Sequence, residues 1–198
     1  MKKINSILVL AISIALLSCG GDAGSGTTID FKSDGTFLKD FTHTSTNALK
    51  GGIVWNAKRT AQTIEIGVSN AATVEIGLYG GFDSPKKEGE AVIGFKLSGT
   101  LFDKGAEATL IKEGDVFKTG ATDNVLSCTI TMPDYKMAMF NGEPSGAVNE
   151  YEGTATITKL TDTMVEGTID FKRVDGTSSI TVNFSEAYTD NWTGKGFN

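Results

Sequence analysis

Two cysteines and a single histidine are the side chains of this 198-residue chain with the most readily activated chemistry. A cysteine thiolate is a nucleophile and a metal ligand, and a histidine can exchange a proton near neutral pH. Cys19, His43 and Cys128 are widely separated in the sequence, and no Gly-x-Ser-x-Gly motif provides a serine nucleophile. We therefore interpret His43 as a solvated loop residue and predict no catalytic residue.

Carboxylates and other oxygen ligands are the second source of chemistry, because the chain has 24 acidic residues. Glycoside hydrolysis needs two carboxylates about 5–10 Å apart, and nothing in the sequence fixes such a spacing. The stretch 112–124 offers Glu113, Asp115 and Asp123 but lacks the Asp-x-Asp-x-Asp-Gly pattern of a calcium loop. We expect no metal site, no cofactor and no enzymatic activity.

Cys19 ends a segment with the features of an export signal. A pair of lysines precedes the apolar run 7–17, and the small residue Ser18 comes before the cysteine. The run is too short to span a bilayer as a helix, because spanning takes about 20 apolar residues. The sequence predicts a cleaved signal peptide over 1–18.

The tetrapeptide Leu16-Leu17-Ser18-Cys19 resembles the lipobox of bacterial prolipoproteins, although Leu17 stands where smaller or β-branched residues are commoner. The resemblance implies cleavage before Cys19, a diacylglyceryl group on its sulfur and acylation of its amine. Two or more acyl chains anchor a protein almost permanently. Gly20 stands where some bacteria place an aspartate that retains lipoproteins in the inner membrane. The resemblance therefore implies the outer membrane, with exposure at the cell surface as one arrangement. The alternative is an ordinary secretory signal with a cysteine near its cleavage site.

Cys128 loses its only potential disulfide partner if Cys19 is acylated. Strand alternation over 125–132 places Cys128 on one face with Leu126, Ile130 and Met132. A free cysteine packs as a small apolar side chain, so we predict that Cys128 belongs to the core. A reactive or metal-binding thiol is the alternative, and a metal site would need a second ligand nearby.

Apolar residues recur with a period of two from residue 53 onward, and the mature chain has no helical stripe of period 3.6. The predicted organisation is a signal peptide over 1–18, the lipidated cysteine with a flexible glycine-rich tether over 19–27, and one domain over 28–198. The predicted fold class is all-β, a single antiparallel β-sandwich, with a small β-barrel as the alternative. Strands are expected at 63–68, 73–78, 91–102, 108–111, 125–132, 136–140, 150–159, 164–173 and 178–188. The last three are expected to form a meander, with turns marked by Asp162 and Asp175-Gly176.

Two similar runs, Thr63–Val68 and Thr73–Leu78, each place three branched apolar residues on one face. They predict a hairpin around the three-residue loop 70–72. Pairing Ile66 with Ile76 avoids a neighbouring register that would place two glutamates directly opposite each other. We therefore predict the 66–76 register, with the loop as its weak point because alanine resists positive φ.

The C-terminal segments Tyr151–Thr158 and Val165–Phe171 both contain Glu-Gly-Thr and alternate in the manner of strands. They resemble the C-terminal hairpins of uncharacterised, β-rich bacterial surface lipoproteins. This resemblance implies a type of fold and no particular activity.

Aromatic side chains in predicted loops are the remaining candidates for a binding surface. Phe82, Phe140 and Trp192 are the candidate ligand or partner contacts, because loop aromatics stack on sugars and anchor protein interfaces. The alternative, which we favour for each, is packing over an open edge or end of the domain. Trp55, beside two apolar residues, is expected in the core.

The charge of the mature chain narrows the choice of partner. Removing the signal takes away two of the 18 basic residues and none of the 24 acidic ones, which leaves a net charge of −8. This charge disfavours nucleic acid and anionic lipid surfaces as main partners. The expected partners are the membrane, through acyl chains on Cys19, and a carbohydrate or protein at the cell surface.

The sequence thus predicts a lipid-anchored, noncatalytic binding or structural module of the cell envelope. One alternative is a small barrel that carries an apolar ligand in an internal cavity. Another is an envelope hydrolase that uses paired carboxylates.

Overall fold

The computed structural model describes residues 26–33, 38, 41–55, 58–77, 81–99, 110–133, 135–140 and 151–190. Cys19 and Trp192 lie outside the described residues, and so do the side chains of Trp55 and Phe140.

Ten strands form one sheet, and the described residues contain no helix, which confirms the predicted all-β class. The predicted bounds of two strands, 125–132 and 164–173, are those of the structure. Three further strands, at 28–32, 45–55 and 116–118, were not predicted. In chain order the strands are β1 Thr28–Lys32, β2 Ser45–Trp55, β3 Lys58–Ser69, β4 Val92–Ser98, β5 Val116–Lys118, β6 Val125–Met132, β7 Tyr135–Phe140, β8 Tyr151–Leu160, β9 Met164–Arg173 and β10 Ser179–Asp190.

Successive pairings close the sheet into a ring. Starting from β10, the hydrogen-bonded neighbours are β2, β3, β4, β6, β5, β8 and β9, and β9 pairs with β10 again. The sheet therefore curls round on itself, which corresponds to the barrel alternative. β1 and β7 pair with members of this ring, β10 and β6 respectively, and are not needed to close it.

The sheet is mixed, because two of its pairings are parallel where the sequence analysis expected antiparallel strands throughout. β10 pairs in parallel with β2, and β5 pairs in parallel with β6 through a single residue pair. The first case follows from chain direction. β1 runs antiparallel to β10, and the chain reverses between β1 and β2, so β2 meets β10 in the parallel sense.

The interior of the ring is filled by alternate residues of the strands. The largest rings in it belong to Phe95, Phe117, Phe171 and Phe184, none of which is more than 4% exposed. Burial of one such side chain contributes about 1.5–3 kcal/mol. These rings and the branched residues around them form one continuous hydrophobic cluster, which packs the centre of the fold.

Two inward-facing glycines make room for two of these rings. Gly153 is paired with Phe171, and Gly167 is paired with Phe184. A Cβ atom at Gly167 would lie 2.2 Å from the carbonyl oxygen of Thr156 and 2.5 Å from Cζ of Phe184. An aromatic ring lying over a cross-strand glycine also covers the backbone that the glycine leaves bare. Packing therefore explains the glycine of the Glu-Gly-Thr motif that β8 and β9 share.

The predicted Thr63–Leu78 hairpin is wrong. β3 pairs with β2 on one edge and with β4 on the other, so Ile66 lies opposite Ala48 and Phe95. Ile76 forms only an isolated bridge within the connection that follows β3. Local alternation was a poor guide here because both edges of β3 are taken by longer ladders, and two of the three loop residues are alanines, which resist positive φ.

The connection between β3 and β4 is closed by the side chain of Asn70. Its Nδ2 donates to the carbonyl oxygen of Gly89 at 2.9 Å, and its Oδ1 accepts from the backbone nitrogen of Ala91 at 2.7 Å. On the β2 side, Nδ2 of Asn47 donates to the carbonyl oxygen of Val74 at 2.9 Å. The bonds of Asn70 hold the start of the connection, just after β3, next to its end, just before β4.

The C-terminal meander is confirmed, since β9 pairs antiparallel with both β8 and β10. The turn between β9 and β10 has the predicted Asp-Gly chemistry. Gly176 has a φ of 73°, and the carboxylate of Asp175 accepts from the backbone nitrogen of Thr177 at 2.9 Å.

Candidate functional site

Phe82, the one predicted contact residue whose side chain is described, packs against the outer face of the sheet. Its ring lies over a cross-strand pair of glycines, Gly67 in β3 and Gly94 in β4. A Cβ atom at Gly67 would be 2.8 Å from the Phe82 ring, and one at Gly94 would be 3.4 Å away. The ring is therefore engaged with the domain itself, as the packing alternative proposed.

Cys128 lies where strand alternation predicted. It is 1% exposed, and Leu126 and Ile130 on the same face are also buried. Burial disfavours the thiolate and raises the pKa of the Cys128 thiol far above its usual range. A thiol held protonated in an apolar interior is an inert packing group.

The thiol of Cys128 should be unreactive in the native protein because a reagent needs access and a thiolate. We expect modification by a thiol reagent only on unfolding. We expect Cys128→Ala to cost about 1–2 kcal/mol of unfolding free energy through lost packing, and Cys128→Ser to cost more because it buries a hydroxyl. Thiol titration with and without urea checks the first point, and rapid labelling of the folded protein would contradict it.

A polar groove of about 550 Å³ runs over the outer face of the meander and β5. Its volume lies within the range of about 300–1,000 Å³ that is usual for ligand sites. Cross-strand register explains its composition, because Lys118, Thr154, Asp170 and Thr181 are successive neighbours across four strands. Alternation points these side chains away from the core.

The groove presents both signs of charge together with hydroxyl groups. Nζ of Lys172 lies 3.1 Å from Oε1 of Glu152, and both side chains are more than half exposed. The hydroxyl of Thr181 donates to Oδ1 of Asp170 at 2.9 Å. With Lys118 also in the lining, two ammonium groups face two carboxylates, so the groove has no net charge to attract a polyanion or polycation.

An apolar crevice lies at the end of the ring where β10 begins. Its volume is about 40 Å³, and Phe31, Leu38, Cys128 and Phe171 are among the residues lining it. The rings of Tyr151 and Phe171 stack there with centroids 5.7 Å apart. Such a volume holds little more than one water molecule, which is far below the few hundred Å³ that a carried ligand would need.

A buried polar cluster lies where β10 changes its neighbour from β1 to β2. Glu186 of β10 is 6% exposed and accepts a hydrogen bond from the hydroxyl of Thr27, which is 8% exposed. On the β2 side, Nε2 of His43 lies 2.7 Å from the hydroxyl oxygen of Thr46. Thr27 was assigned to the flexible tether, and His43 to a solvated loop. The structure instead buries Thr27 and half-buries His43.

Burial lowers the pKa of His43, with a partial offset from its bond to the Ser45 backbone and from the charge of Glu186. The folded state therefore prefers the neutral imidazole more strongly than the unfolded chain does, whose histidine titrates near pH 6.5. Folding stability should fall as the pH drops below about 6.5, because protons then bind the unfolded state first. We expect His43→Gln to reduce this slope, as measured by urea unfolding between pH 7.5 and 5. An unchanged slope would show that other groups cause it.

Sequence reasoning missed Glu186, although a signal was present. Strand alternation puts Glu186 on the same face as Ile180, Val182 and Phe184, so it is a carboxylate in a core phase. A charged residue at such a position needs buried partners. Its main partner, Thr27, is 159 positions away, so no local pattern identifies it.

The described residues contain no group of three or more histidine, cysteine or acidic side chains that could hold a metal ion. In the stretch 112–124, Oδ2 of Asp115 accepts from the backbone nitrogen of Lys112 at 2.9 Å, as in a solvated turn. No helix among the described residues is both long and apolar enough to cross a membrane. No protein-family model, curated protein or solved structure matches the chain.

Proposed function

We propose that this protein is a lipid-anchored, noncatalytic binding module of the cell envelope, held at the outer membrane through acyl chains on Cys19. In this proposal the groove on the outer face of β5 and the meander binds a polar, hydroxyl-rich ligand such as an envelope polysaccharide. The observation that supports it is the charge-balanced lining of lysines, carboxylates and threonine hydroxyls on a packed domain. The lipobox-like sequence before Cys19 supports the anchoring part.

The two alternatives receive less support from the described residues. A carrier of an apolar ligand needs internal space, and the interior is filled by aromatic and branched side chains around a crevice of about 40 Å³. A hydrolase needs a free pair of carboxylates across a cleft. The two in the groove are already engaged, Glu152 by Lys172 and Asp170 by Thr181.

The test measures retention of the lipid-free mature chain, with Cys19 replaced by alanine, on intact cells of the producing organism. We expect Asp170→Ala combined with Lys172→Ala to lower retention about tenfold or more, equivalent to about 1.4 kcal/mol. The removed contacts are exposed, so stability should change by less than about 1 kcal/mol.

The matched control breaks another exposed ion pair, between Lys86 and Glu75, which is 3.3 Å long and lies on the connection before β4. We expect Lys86→Ala combined with Glu75→Ala to leave retention unchanged. Treating the cells with periodate, which cleaves vicinal diols, should abolish retention. If both double variants lose retention equally, the groove is not the binding site. If protease treatment of the cells abolishes retention and periodate does not, the ligand is a protein and not a polysaccharide.

A further inference from the structure

β1 is the strand that joins the tether to the ring, and the ring closes without it. Its five residues pair with Ser179–Asn183 of β10, and in the described part of the chain they have no second strand partner. The same stretch of β10 is also paired with β9, so β10 would keep its place in the ring if β1 left. Ile29 and Phe31 are only partly buried against the core.

Three hydrogen bonds hold the start of this strand. The backbone nitrogen of Gly26 donates to the carbonyl oxygen of Ser185 at 3.2 Å. The hydroxyl of Thr27 donates to the carboxylate of Glu186 and accepts from the backbone nitrogen of Ser185 at 3.3 Å. All three involve Gly26 or Thr27, at the strand end nearest the tether, and the bond to the buried carboxylate is of the charge-assisted, stronger kind.

We propose that β1 is a detachable strand that opens separately from the ring, and that the bond between Thr27 and Glu186 is the latch that keeps it in place. Local opening is expected of an element with one paired edge and few fully buried side chains. Opening leaves a bare edge on β10 at Ser179–Asn183, which can accept another extended strand. A force transmitted through the tether would act on the domain at this latch, because Thr27 directly precedes β1.

The consequence for the anchored protein rests on the proposed function. With β1 in place, Gly26 is seven residue steps from Cys19, a maximum reach of about 24 Å at roughly 3.4 Å per step. With β1 released, the free chain extends to Ser33, fourteen residues from Cys19, and the reach doubles to about 48 Å. The latch would thus set how far from the membrane the groove can extend.

The test is amide hydrogen exchange of the mature chain carrying Cys19→Ala, so its outcome does not depend on whether Cys19 is acylated. In the otherwise unchanged protein we expect the amides of β1 to exchange faster than those of β9, with a weaker dependence on urea. Thr27→Val removes the hydroxyl and keeps the shape. It should accelerate exchange in β1 by about 10- to 100-fold, and exchange in β9 by no more than that, because the bond is lost both when β1 opens and when the whole domain unfolds.

Two further variants separate the latch from a general loss of stability. Thr27→Ser retains the hydroxyl and should restore slow exchange in β1. Thr119→Val removes a hydroxyl that accepts from the backbone nitrogen of Gly153 at 3.1 Å, and should leave β1 unchanged. The proposal is overturned if β1 and β9 share one rate and one urea dependence, if Thr27→Val leaves exchange in β1 unchanged, or if Thr119→Val accelerates both strands equally.

Discussion

Replacing Gly167 with alanine is expected to remove most of the stability of the domain. The added Cβ atom would lie 2.2 Å from the carbonyl oxygen of Thr156 and 2.5 Å from Cζ of Phe184. The oxygen belongs to the backbone of β8, so it cannot move without disturbing the β8–β9 ladder. Phe184 is 2% exposed and has no free space to enter. We expect a loss above about 4 kcal/mol, against a typical total of about 5–15 kcal/mol.

The measurement is urea unfolding followed by circular dichroism, with Gly94→Ala as the matched control. Gly94 is also a strand glycine beneath a phenylalanine ring, but its added Cβ atom would lie 3.4 Å from Cδ2 of Phe82, close to ordinary contact. We expect the control to change the unfolding free energy by less than about 1 kcal/mol. If Gly167→Ala also stays within that limit, the packing of β8, β9 and β10 described above is incorrect.

Replacing Cys19 with alanine is expected to release the protein from membranes. The lipobox-like sequence makes the Cys19 sulfur the expected site of the acyl chains, and alanine has no atom to carry them. Each buried methylene contributes about 0.8 kcal/mol, so loss of two or three chains turns a nearly permanent attachment into none. We expect the variant in detergent-free extract or culture medium, without incorporated radiolabelled palmitate.

Cys128→Ala is the control for this experiment, because it removes the other cysteine of the chain. Its thiol is buried among core residues, so this variant should keep both its palmitate label and its membrane association. Continued membrane association of Cys19→Ala would contradict the lipoprotein proposal. Palmitate labelling that is lost in Cys128→Ala but kept in Cys19→Ala would place the acyl chains on Cys128. That result would also contradict the lipoprotein proposal.

Alternation predicted strand identity and phase correctly for some segments, although it also predicted a strand at Thr73–Leu78 that the described residues of this stretch do not form. β6 and β9 have the predicted bounds, and Cys128 lies on the predicted face with Leu126 and Ile130. The reason is local: successive side chains of a strand point to opposite faces, so an apolar residue at every second position fixes which face is buried. β1, β2 and β5 escaped prediction. Five and three residues are too few to show a period in β1 and β5, and the apolar residues of β2 are contiguous instead of alternating.

The candidate sites were harder to predict than the strands. The groove arises because Lys118, Asp170 and Thr181 come into register across β5, β9 and β10, with β8 between them. Phe82 was identified as a loop aromatic, but its role in covering Gly67 and Gly94 depends on how the connection folds back over the sheet.

The sequence by itself determined the all-β class, the phase of β3 and β6 and the chemistry of the turn at Asp175-Gly176, because each depends on neighbouring residues. Only the tertiary structure decided which strands pair. Thr63–Val68 and Thr73–Leu78 have equivalent patterns, yet β3 pairs with β2 and β4 instead. The backbone N–H and C=O groups on a strand edge can pair with any strand of suitable register. Which strand pairs there therefore depends on the competition among all strands of the chain. The contact between Thr27 and Glu186 exists only because closing the ring brings residues 159 positions apart together.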